Sequence, residues 1–282
     1  MSTILITGAA GSLGSILTQM YVERDDTVRA YDINEAGLAD LKEKYDSTRV
    51  RVIYGDITDR ERLEFAMRGV DMVIHTAAMK NISITEKNPV QTIETNVQGT
   101  INVAMAAITL GVKKAIFISS DKAVEPTLIY GNTKALAEKI WKWAHLIGGD
   151  TRFSVIRPGN FFTSRGNVFE TWAKAEKAKE NISLTHPEMQ RYFIETEDAA
   201  RFVLGVEQVM SGGEIYIPEM KLYQMSDLAE KYAERAGTQV EVTGIRAGEK
   251  LKEYLWTREE HQRIERGGFS EHRGMGAYWV IR

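Results

Sequence analysis

The first 157 residues alternate short apolar, β-rich runs with longer patterns of helical period, and this alternation strongly constrains the fold. The strand candidates are residues 3–7, 27–31, 50–54, 72–75, 114–119 and 153–156. The helical patterns between them are residues 12–23, 35–44, 60–68, 89–110 and 130–146. Because parallel strands need long crossover connections, the alternation predicts an α/β fold, a doubly wound parallel sheet with helices on both faces.

The rhythm changes after Pro158, where glycine-containing loops and three shorter helical patterns replace the alternation. These patterns lie near residues 167–179, 197–210 and 225–236. The sequence therefore predicts a sheet-forming domain over residues 1–157 and a smaller C-terminal lobe over residues 158–282. A later segment, near residues 192–210, is expected to return to the first domain.

Composition excludes several kinds of protein. The net charge of −3 gives no electrostatic reason to expect nucleic acid or an anionic membrane as a partner. The absence of cysteine removes disulfides and thiolate zinc sites, and the five histidines (75, 145, 186, 261 and 272) show no metal-ligand spacing. No run approaches the ~20 apolar residues of a membrane span, and the N-terminus lacks the features of a signal peptide. We expect a cytoplasmic globular protein without a metal.

A glycine-rich loop, TGAAGSLG, follows the first predicted strand and opens the first predicted helix. In this position Gly8 permits a tight turn, Gly11 lets a pyrophosphate approach the backbone, and Gly14 lets the helix pack on the strand. Ser12 and Leu13 belong to the same loop, and the helix N-terminus offers N–H groups to phosphate. Three glycines alone could form an ordinary turn, but their place after the first strand predicts a Rossmann-type domain that binds a dinucleotide.

Asp32 ends the second predicted strand, 18 residues after Gly14. A carboxylate there binds the ribose hydroxyls of NAD and repels the 2′-phosphate of NADP, and position 33 is Ile rather than Arg. We therefore expect NAD as the cofactor, with NADP the less favoured form. The alternative is that Asp32 caps the following helix. Other predicted contacts of the cofactor follow the third strand, at Asp56 and Ile57, and the fourth strand, over residues 75–78, which include Ala77 and Ala78.

Tyr130 and Lys134 lie one helical turn apart after the fifth predicted strand and so share a helix face. A free tyrosine has a pKa of ~10. A nearby ammonium and the charge of an oxidised nicotinamide both lower that pKa, which would make the phenolate a base toward an alcohol. A surface pair is the alternative, but the position in a glycine-loop fold predicts oxidoreductase chemistry.

These motifs carry a resemblance. TGAAGSLG, Asn96 in NVQGT, and YGNTK resemble the extended short-chain dehydrogenase/reductase superfamily. SSDKAVEPTLIYGNTK, AAMKN, RPGNFFTSRGNV, PEMQRYFI and IRAGEK together resemble its polysaccharide-biosynthesis, CapD-like branch, over residues 3 to about 255. That branch contains the UDP-N-acetylglucosamine 4,6-dehydratases that invert C5. The resemblance implies the same activity here, a nucleotide-sugar substrate, and Asn96 among the residues at the cofactor.

The resemblance also assigns roles at the tip of the fifth strand. Asp121 and Lys122 match an Asp-Lys pair of the family, whereas retaining dehydratases carry Asp-Glu there. It implies that Lys122, as a neutral amine, removes the C5 proton, that Asp121 protonates the departing 6-hydroxyl, and that Ser120 binds the 4-oxygen. A neutral Lys122 requires burial or neighbouring cations. The alternative is a solvated polar strand end.

The substrate side is assigned by the same resemblance. Arg191 and Arg246 match positions near the nucleotide diphosphate, where a guanidinium suits phosphate oxygens, and Glu249 matches a position near a ribose hydroxyl. Further matches to substrate-side segments are Lys80, Asn160, Ser164 and Arg165.

Two alternatives to a dehydratase stay open, namely a nucleotide-sugar epimerase (or a dehydratase of other regiochemistry) on the same fold and a non-catalytic cofactor-sensing protein. A homo-oligomer is also expected, because the fourth and fifth long helices often pair between subunits in this superfamily. Ile93, Val97 and Ile101 form an apolar stripe on the fourth helix that core burial would explain equally well. Trp141 and Trp143, on the fifth helix, are expected to pack internally or to line an oligomer surface.

Overall fold

The computed structural model describes residues 1–269 and 277–282. The strands are β1 (Thr3–Thr7), β2 (Thr27–Asp32), β3 (Val50–Tyr54), β4 (Met72–His75), β5 (Lys114–Ile118), β6 (Arg152–Ile156), β7 (Asn160–Phe161), β8 (Ile182–Leu184), β9 (Gln190–Ile194), β10 (Ile215–Pro218), β11 (Lys221–Gln224), β12 (Val240–Val242), β13 (Ile264–Gly268) and β14 (Ala277–Ile281).

The α-helices are α1 (Ser12–Glu23), α2 (Glu35–Lys44), α3 (Arg60–Met67), α4 (Ile82–Thr85), α5 (Pro89–Ile93), α6 (Gly99–Thr109), α7 (Ile129–Ile147), α8 (Val168–Ala178), α9 (Thr196–Val209) and α10 (Met225–Ala236). A π-helical turn, Glu94–Gln98, joins α5 to α6, and 3₁₀ turns span Asp121–Ala123 and Glu260–Arg263.

The described residues form a large sheet of nine strands in the order β13-β14-β10-β6-β5-β4-β1-β2-β3. Seven neighbouring strands of this sheet run parallel, namely β3, β2, β1, β4, β5, β6 and β10. The strand β14 is antiparallel to both of its neighbours, β10 and β13. The order 3-2-1-4-5-6 reverses between β1 and β4, where Rossmann-type folds bind their ligands. The predicted α/β fold with a doubly wound parallel sheet is confirmed.

Apolar helix faces cover both sides of this sheet. On one side α1 packs with α9, burying Leu17, Phe202 and Val206. On the other side α6 packs with α7, where Ala137 and Trp141 are fully buried at helical spacing. Burial of these faces removes apolar surface from water and fixes the helices that carry the loops at the carboxyl ends of the strands.

The second half of the chain contains strands that the sequence reading did not identify. β7, β9 and β11 form a three-stranded sheet, and β8 pairs with β12. These short strands enclose a separate apolar cluster that includes Trp172, Phe193 and Met225. The expected division at residue 157 stays a prediction. The strand pairing puts residues 215–218, 264–268 and 277–281 in the large sheet, and α9 packs on α1.

Candidate functional site

The glycine loop between β1 and α1 brings backbone close to its neighbours. Gly8 has φ +73°, and a Cβ there would lie 2.6 Å from Thr76 Oγ1 and 2.7 Å from the nitrogen of Ala77. A Cβ on Gly14 would lie 2.7 Å from Cα of Ala9, so α1 could not approach β1 as it does. Gly11 is the N-cap of α1. The first turn of the helix therefore presents backbone N–H groups, which suits an anion such as pyrophosphate.

Asp32 is fixed by two backbone donors at the end of β2. Its Oδ2 accepts from the nitrogen of Ala10 at 2.9 Å, and its Oδ1 accepts from the nitrogen of Asn34 at 2.9 Å. The N-cap of α2 is Asn34, whose side chain accepts from Gly37. The alternative role of Asp32 as the helix cap is therefore wrong, and its carboxylate faces the cavity at the glycine loop.

A cavity of about 570 Å³ extends from this loop to α7. The predicted cofactor residues along its wall are Gly8, Gly11, Ser12, Leu13, Gly14, Asp32, Asp56, Ile57, Ala77, Ala78, Tyr130 and Lys134. Of the predicted segment 75–78, Thr76 also lies on the wall, whereas His75 does not. Wall residues that were not predicted include Asn34, Gly55, Met79, Thr95, Ile118 and Ser119. All but Thr95 lie at or just after the ends of β2, β3, β4 and β5, so their place at the strand ends was the available signal, whereas Thr95 lies in the π-helical turn.

Asn96 differs from this set because it does not lie on the cavity wall. It is buried in the π-helical turn and clamps the backbone of Met79, accepting from its nitrogen at 2.8 Å and donating to its oxygen at 2.9 Å. It also donates to Thr133 on α7 at 3.1 Å. The contact of Asn96 with the cofactor stays a prediction, and in the structure its side chain holds the loop after β4 against α7.

Tyr130 and Lys134 lie on the first turns of α7 and are both buried. Lys134 Nζ donates to the carbonyl of Ile118 at 2.8 Å and lies 4.6 Å from the ring centre of Phe117. Burial lowers the pKa of Lys134 to about 7, and the carboxylate of Glu138 acts in the opposite direction. An ammonium at this position is therefore easily discharged near neutral pH.

The pKa of Tyr130 departs from the expectation. Burial raises it, a hydrogen bond with Ser120 opposes the rise, and the charge of Asp121 adds to it. The predicted lowering by Lys134 is therefore wrong for the protein alone, because removal of the phenol from water outweighs the attraction of a lysine whose own charge is weakened by burial. Of the two influences expected to lower this pKa, the charge of an oxidised nicotinamide is the one that remains.

Ser120, Asp121 and Lys122 form a compact cluster at the tip of β5. Ser120 Oγ donates to Asp121 Oδ1 at 2.9 Å, and Lys122 Nζ donates to the same oxygen at 3.0 Å. Lys122 Nζ also donates to Asn160 Oδ1 at 3.1 Å. Asp121 is fully buried, and its Oδ2 finds no hydrogen-bond partner within residues 1–269 and 277–282. Asp121 is thus not part of a solvated strand end.

The surroundings of Lys122 also differ from the expectation. We expected burial or neighbouring cations to favour its neutral amine, yet its side chain is 19% exposed and its hydrogen bonds run to a carboxylate and an amide oxygen. A carboxylate favours the ammonium unless it holds a proton itself. The structure therefore shows an ion pair between Lys122 and Asp121 rather than the desolvated or cation-rich surroundings that we expected.

A second cavity, of about 480 Å³, lies between the large sheet and the C-terminal lobe. All of the predicted substrate-side residues line it, namely Lys80, Asn160, Ser164, Arg165, Arg191, Arg246 and Glu249. Ser120, Lys122 and Tyr130 line it as well, and Tyr130 also lines the cavity at the glycine loop. Lining residues that the sequence reading missed include Trp172, Met189, Phe193, Met225 and Glu253.

Two of the predicted diphosphate ligands differ in how they are held. Arg191 is buried and donates to three backbone carbonyls, those of Gln190, Lys250 and Leu251, at 2.8–3.0 Å. Arg246 is exposed, and its nitrogen donates to Glu249 Oε2 at 3.2 Å. Glu249 Oε1 lies 3.8 Å from Arg191. Arg246 thus has the freer guanidinium for an anion, while Arg191 also secures the wall of the cavity.

The loop before α8 links the two cavities. Lys80 Nζ donates to the carbonyl of Arg165 at 2.9 Å, and the nitrogen of Arg165 donates to Ser12 Oγ at 3.1 Å. Ser164, which lines both cavities, is buried. A substrate-side loop is thereby tied to the glycine loop, so the two cavities share a wall.

In the described part of the chain, no cluster of histidines and carboxylates is arranged to hold a metal. His75 is buried between Thr7 Oγ1 and Thr100 Oγ1, at 2.7 and 3.0 Å. His272 lies outside the described residues. No helix within residues 1–269 and 277–282 has the length and hydropathy to cross a membrane.

Comparison with known proteins places the chain among carbohydrate-modifying relatives. A family described as polysaccharide biosynthesis protein matches residues 4–270. UDP-N-acetylglucosamine 4,6-dehydratase (inverting) of Campylobacter jejuni is 41% identical over 258 residues, 89% of this chain and 76% of that protein. UDP-glucose 4-epimerase of Rickettsia felis is 32% identical over 99% of this chain and 82% of that protein. The X-ray structure of Pen from Bacillus thuringiensis superposes with a TM-score of 0.92 and 31% identity, over 99% and 89% of the two chains.

Proposed function

Because the chain belongs to the polysaccharide biosynthesis protein family, and its Tyr-Lys and Asp-Lys pairs meet at one site, we propose that it is a nucleotide-sugar 4,6-dehydratase. The substrate is UDP-N-acetylglucosamine, and C5 is inverted. One observation carries the proposal: Tyr130, Ser120 and Lys122 line the same cavity, and Tyr130 also lines the glycine-loop cavity. Family membership confirms the resemblance that the sequence motifs indicated.

The glycine-loop cavity fits a nicotinamide dinucleotide. A Cβ at Gly8 would collide with Thr76 and Ala77, and a Cβ at Gly14 would collide with Ala9, so only glycines allow the tight loop that leaves the start of α1 open to a ligand. We propose NAD rather than NADP, since Asp32 presents a carboxylate where a 2′-phosphate would lie and Ile33 supplies no positive charge. Calorimetric titration with each cofactor tests this preference, and tighter binding of NADP would overturn it.

The chemistry divides between two parts of the site, which we call the Tyr130 corner (Tyr130, Lys134 and Ser120) and the Asp121–Lys122 corner. A nicotinamide held by the glycine-loop cavity would supply the redox chemistry, as the hydride acceptor at C4 of the sugar and the hydride donor at C6. Tyr130 removes the 4-hydroxyl proton, with Lys134 assisting from the next turn of α7 and Ser120 binding the 4-oxygen. Oxidation at C4 comes first, because H5 is only weakly acidic until a ketone stands beside it.

Asp121 and Lys122 perform the elimination. A single proton moved from Lys122 Nζ to Asp121 along their 3.0 Å hydrogen bond gives a neutral amine and a carboxylic acid together. The amine removes H5, and the acid protonates the 6-hydroxyl as it leaves as water. When hydride is returned at C6, C5 takes a solvent-derived proton from the face opposite Lys122, which completes the product and inverts C5. The hydrogen bond from Lys122 ends on Oδ1 of Asp121, while Oδ2 is fully buried and has no partner among the described residues, so donors hold Oδ1 alone. Asn160 holds Lys122 from the other side.

The alternative function is nucleotide-sugar epimerisation, which is suggested by the 32% identity to a UDP-glucose 4-epimerase of Rickettsia felis. Oxidation and reduction at C4 alone need the Tyr130 corner but give no use to a buried acid paired with Lys122. The Asp121–Lys122 pair therefore favours the dehydratase. A non-catalytic cofactor sensor would need neither pair.

The decisive experiment incubates the enzyme with UDP-, GDP- and dTDP-linked sugars in heavy water. Loss of one water by mass spectrometry identifies a dehydratase. One solvent deuteron at C5 with inverted coupling constants, read by NMR at early times, supports Lys122 as the base. An isomer of unchanged mass would indicate an epimerase, and retained configuration at C5 would contradict inversion.

We also propose a homo-oligomer that uses the outer faces of α5 and α7. The residues of the apolar stripe predicted on the fourth long helix differ in exposure, since Ile93 on α5 is 48% exposed whereas Val97 is buried. Trp141 packs in the core, but Trp143 is exposed, as are Leu136, Leu146 and Ile147 on the same helix. An apolar surface of this kind is typical of a protein contact. Light scattering of the purified protein tests the proposal, and a monomer would contradict it.

A further inference from the structure

A chain of buried polar groups runs behind the site, from the end of β5 across α7 to the segment after β12. Ser119 Oγ donates to Glu138 Oε1 at 2.6 Å. Arg157 donates to both oxygens of Glu138, at 3.0 and 2.6 Å, and to both oxygens of Glu260, at 3.0 and 2.8 Å. Ser119, Glu138 and Arg157 are each no more than 5% exposed. Glu260, at the outer end, is partly exposed, and we call these four residues the buried network.

The buried network lies next to the reacting groups at Glu138. This residue is one helical turn beyond Lys134, so the two side chains leave the same face of α7. Both hold the tip of β5, because Lys134 donates to the carbonyl of Ile118 and Glu138 accepts from the neighbouring Ser119. Ser120 follows directly in the chain. A shift of Glu138 would therefore disturb both corners of the site.

The ion pair between Arg157 and Glu138 is not well explained by stability alone, because replacing a buried ion pair with apolar residues is often neutral or stabilising. Glu138 has a further effect, since its carboxylate opposes the lowering of the pKa of Lys134 by burial. Burial lowers the pKa of His75 to about 3, so that ring is neutral at pH 7. The titratable groups around Lys134 and Glu138 are His75 on β4, Tyr130 and Lys142 on α7, Arg157 after β6, and Glu260.

We propose that Glu138 is a positioning residue for proton transfer at Tyr130, acting through Lys134 and the tip of β5 and held in place by Arg157 and Glu260. The kinetic consequence rests on the proposed dehydratase function. The titration of Lys134 does not, because it can be measured without turnover.

The test compares Glu138→Gln with Glu260→Gln in the full chain loaded with NAD. Each variant removes one carboxylate from Arg157, but only the first removes the carboxylate one turn from Lys134. NMR of isotope-labelled lysine follows Lys134, identified by the loss of its signal in Lys134→Met. Glu138→Gln should lower the pKa of Lys134 by about one pH unit, whereas Glu260→Gln should leave it nearly unchanged.

Kinetics give a second readout. An ammonium that loses its proton at lower pH supports the phenolate of Tyr130 over a narrower range of pH. The decline of kcat at high pH should therefore begin at a lower pH in Glu138→Gln than in the wild type, and we call this decline the high-pH limb. KM for the nucleotide-sugar should change less than about twofold, since the carboxylate does not line the substrate cavity. Glu138→Asp restores the charge and should return the limb toward its wild-type position.

Equal movement of the Lys134 pKa in both Gln variants, or no movement in Glu138→Gln, overturns the proposal. If Glu138→Gln does not fold, the double variant E138Q/R157M removes both buried charges. The pKa of Lys134 should still fall, because Glu138 rather than Arg157 acts on it, and an unchanged value contradicts the proposal. A wild-type enzyme without dehydratase activity would refute the proposed function, while the NMR comparison would still decide the role of Glu138.

Discussion

The two lysines of the site lie in contrasting surroundings. Lys134 is buried against a backbone carbonyl and the ring of Phe117, and burial lowers its pKa to about 7. Lys122 is partly exposed, and its Nζ donates hydrogen bonds to Asp121 and Asn160. The same residue type is thus held in two different ways. Desolvation lowers the pKa of Lys134, whereas Lys122 forms a direct ion pair with Asp121.

This contrast assigns each corner its own half of the reaction. In the proposed mechanism the Tyr130 corner handles the 4-hydroxyl proton, and the Asp121–Lys122 corner handles H5 and the 6-hydroxyl. Variants in one corner should therefore stop the reaction at a different stage from variants in the other, and the following experiments test that separation.

Tyr130→Phe should have the largest effect, a loss of kcat of about 10²–10⁴-fold, which is the usual contribution of a general acid–base group. NAD affinity should change little, because the phenol acts on the substrate. Steady-state kinetics and calorimetry measure the two quantities, with the exposed Tyr54→Phe as the matched control. A variant that keeps more than about a tenth of the wild-type rate would contradict the assigned role.

Lys122→Ala should reduce dehydration by about 10²-fold or more while sparing the first oxidation. Reduced cofactor should then accumulate on the enzyme, visible as near-ultraviolet absorbance after mixing with substrate. Lys113→Ala, a surface lysine paired with Asp71, serves as the control. Failure to accumulate reduced cofactor would mean that the two corners do not act separately.

The pH dependence of stability should identify Lys134 as the desolvated lysine. Its folded pKa, about 7, lies below its unfolded value, so between these values the unfolded chain binds more protons and stability should rise with pH. One such group contributes at most about 1.4 kcal/mol per pH unit. Urea unfolding from pH 7 to pH 10 should show this rise in the wild type and a smaller rise in Lys134→Met. Equal slopes would refute the desolvation of Lys134.

Asn160→Ala should have the smallest effect. It removes one hydrogen bond from Lys122 but leaves the contact with Asp121 intact, so kcat should fall by about two- to tenfold. The stage at which the reaction slows should match that of Lys122→Ala. Slowing at the oxidation step instead would place Asn160 in the other corner.

The fold of the first half could be predicted closely because each element carries its own periodic pattern. Strands β1, β3 and β4 begin and end at the predicted residues, and α7 extends the predicted helix by one residue at each end. The single helix predicted over residues 89–110 instead contains the π-helical turn, where the side chain of Asn96 holds Met79. A long-range contact of this kind leaves no mark in local periodicity.

The second half was harder because its strands are short, and their pairing joins distant segments. β10 pairs with β6 and β14, and neither partner is adjacent in sequence. The same limit applies to the site. Motifs located the lining residues, but not the bonding of Arg191 to backbone carbonyls or the burial that raises the pKa of Tyr130. Burial and pairing are properties of the assembled fold.

The place of β14 between β10 and β13 has a consequence for how the protein is made. During synthesis β10 emerges well before β14, so the hydrogen-bonding edge of a fully buried strand stays open until residues 277–281 arrive. An open edge of this kind is a template for pairing with another chain. β14 pairs with β13 as well, so the far end of the large sheet can close only after that late strand is added. Nascent chains halted before β14 should therefore be prone to aggregation and should rely on chaperones.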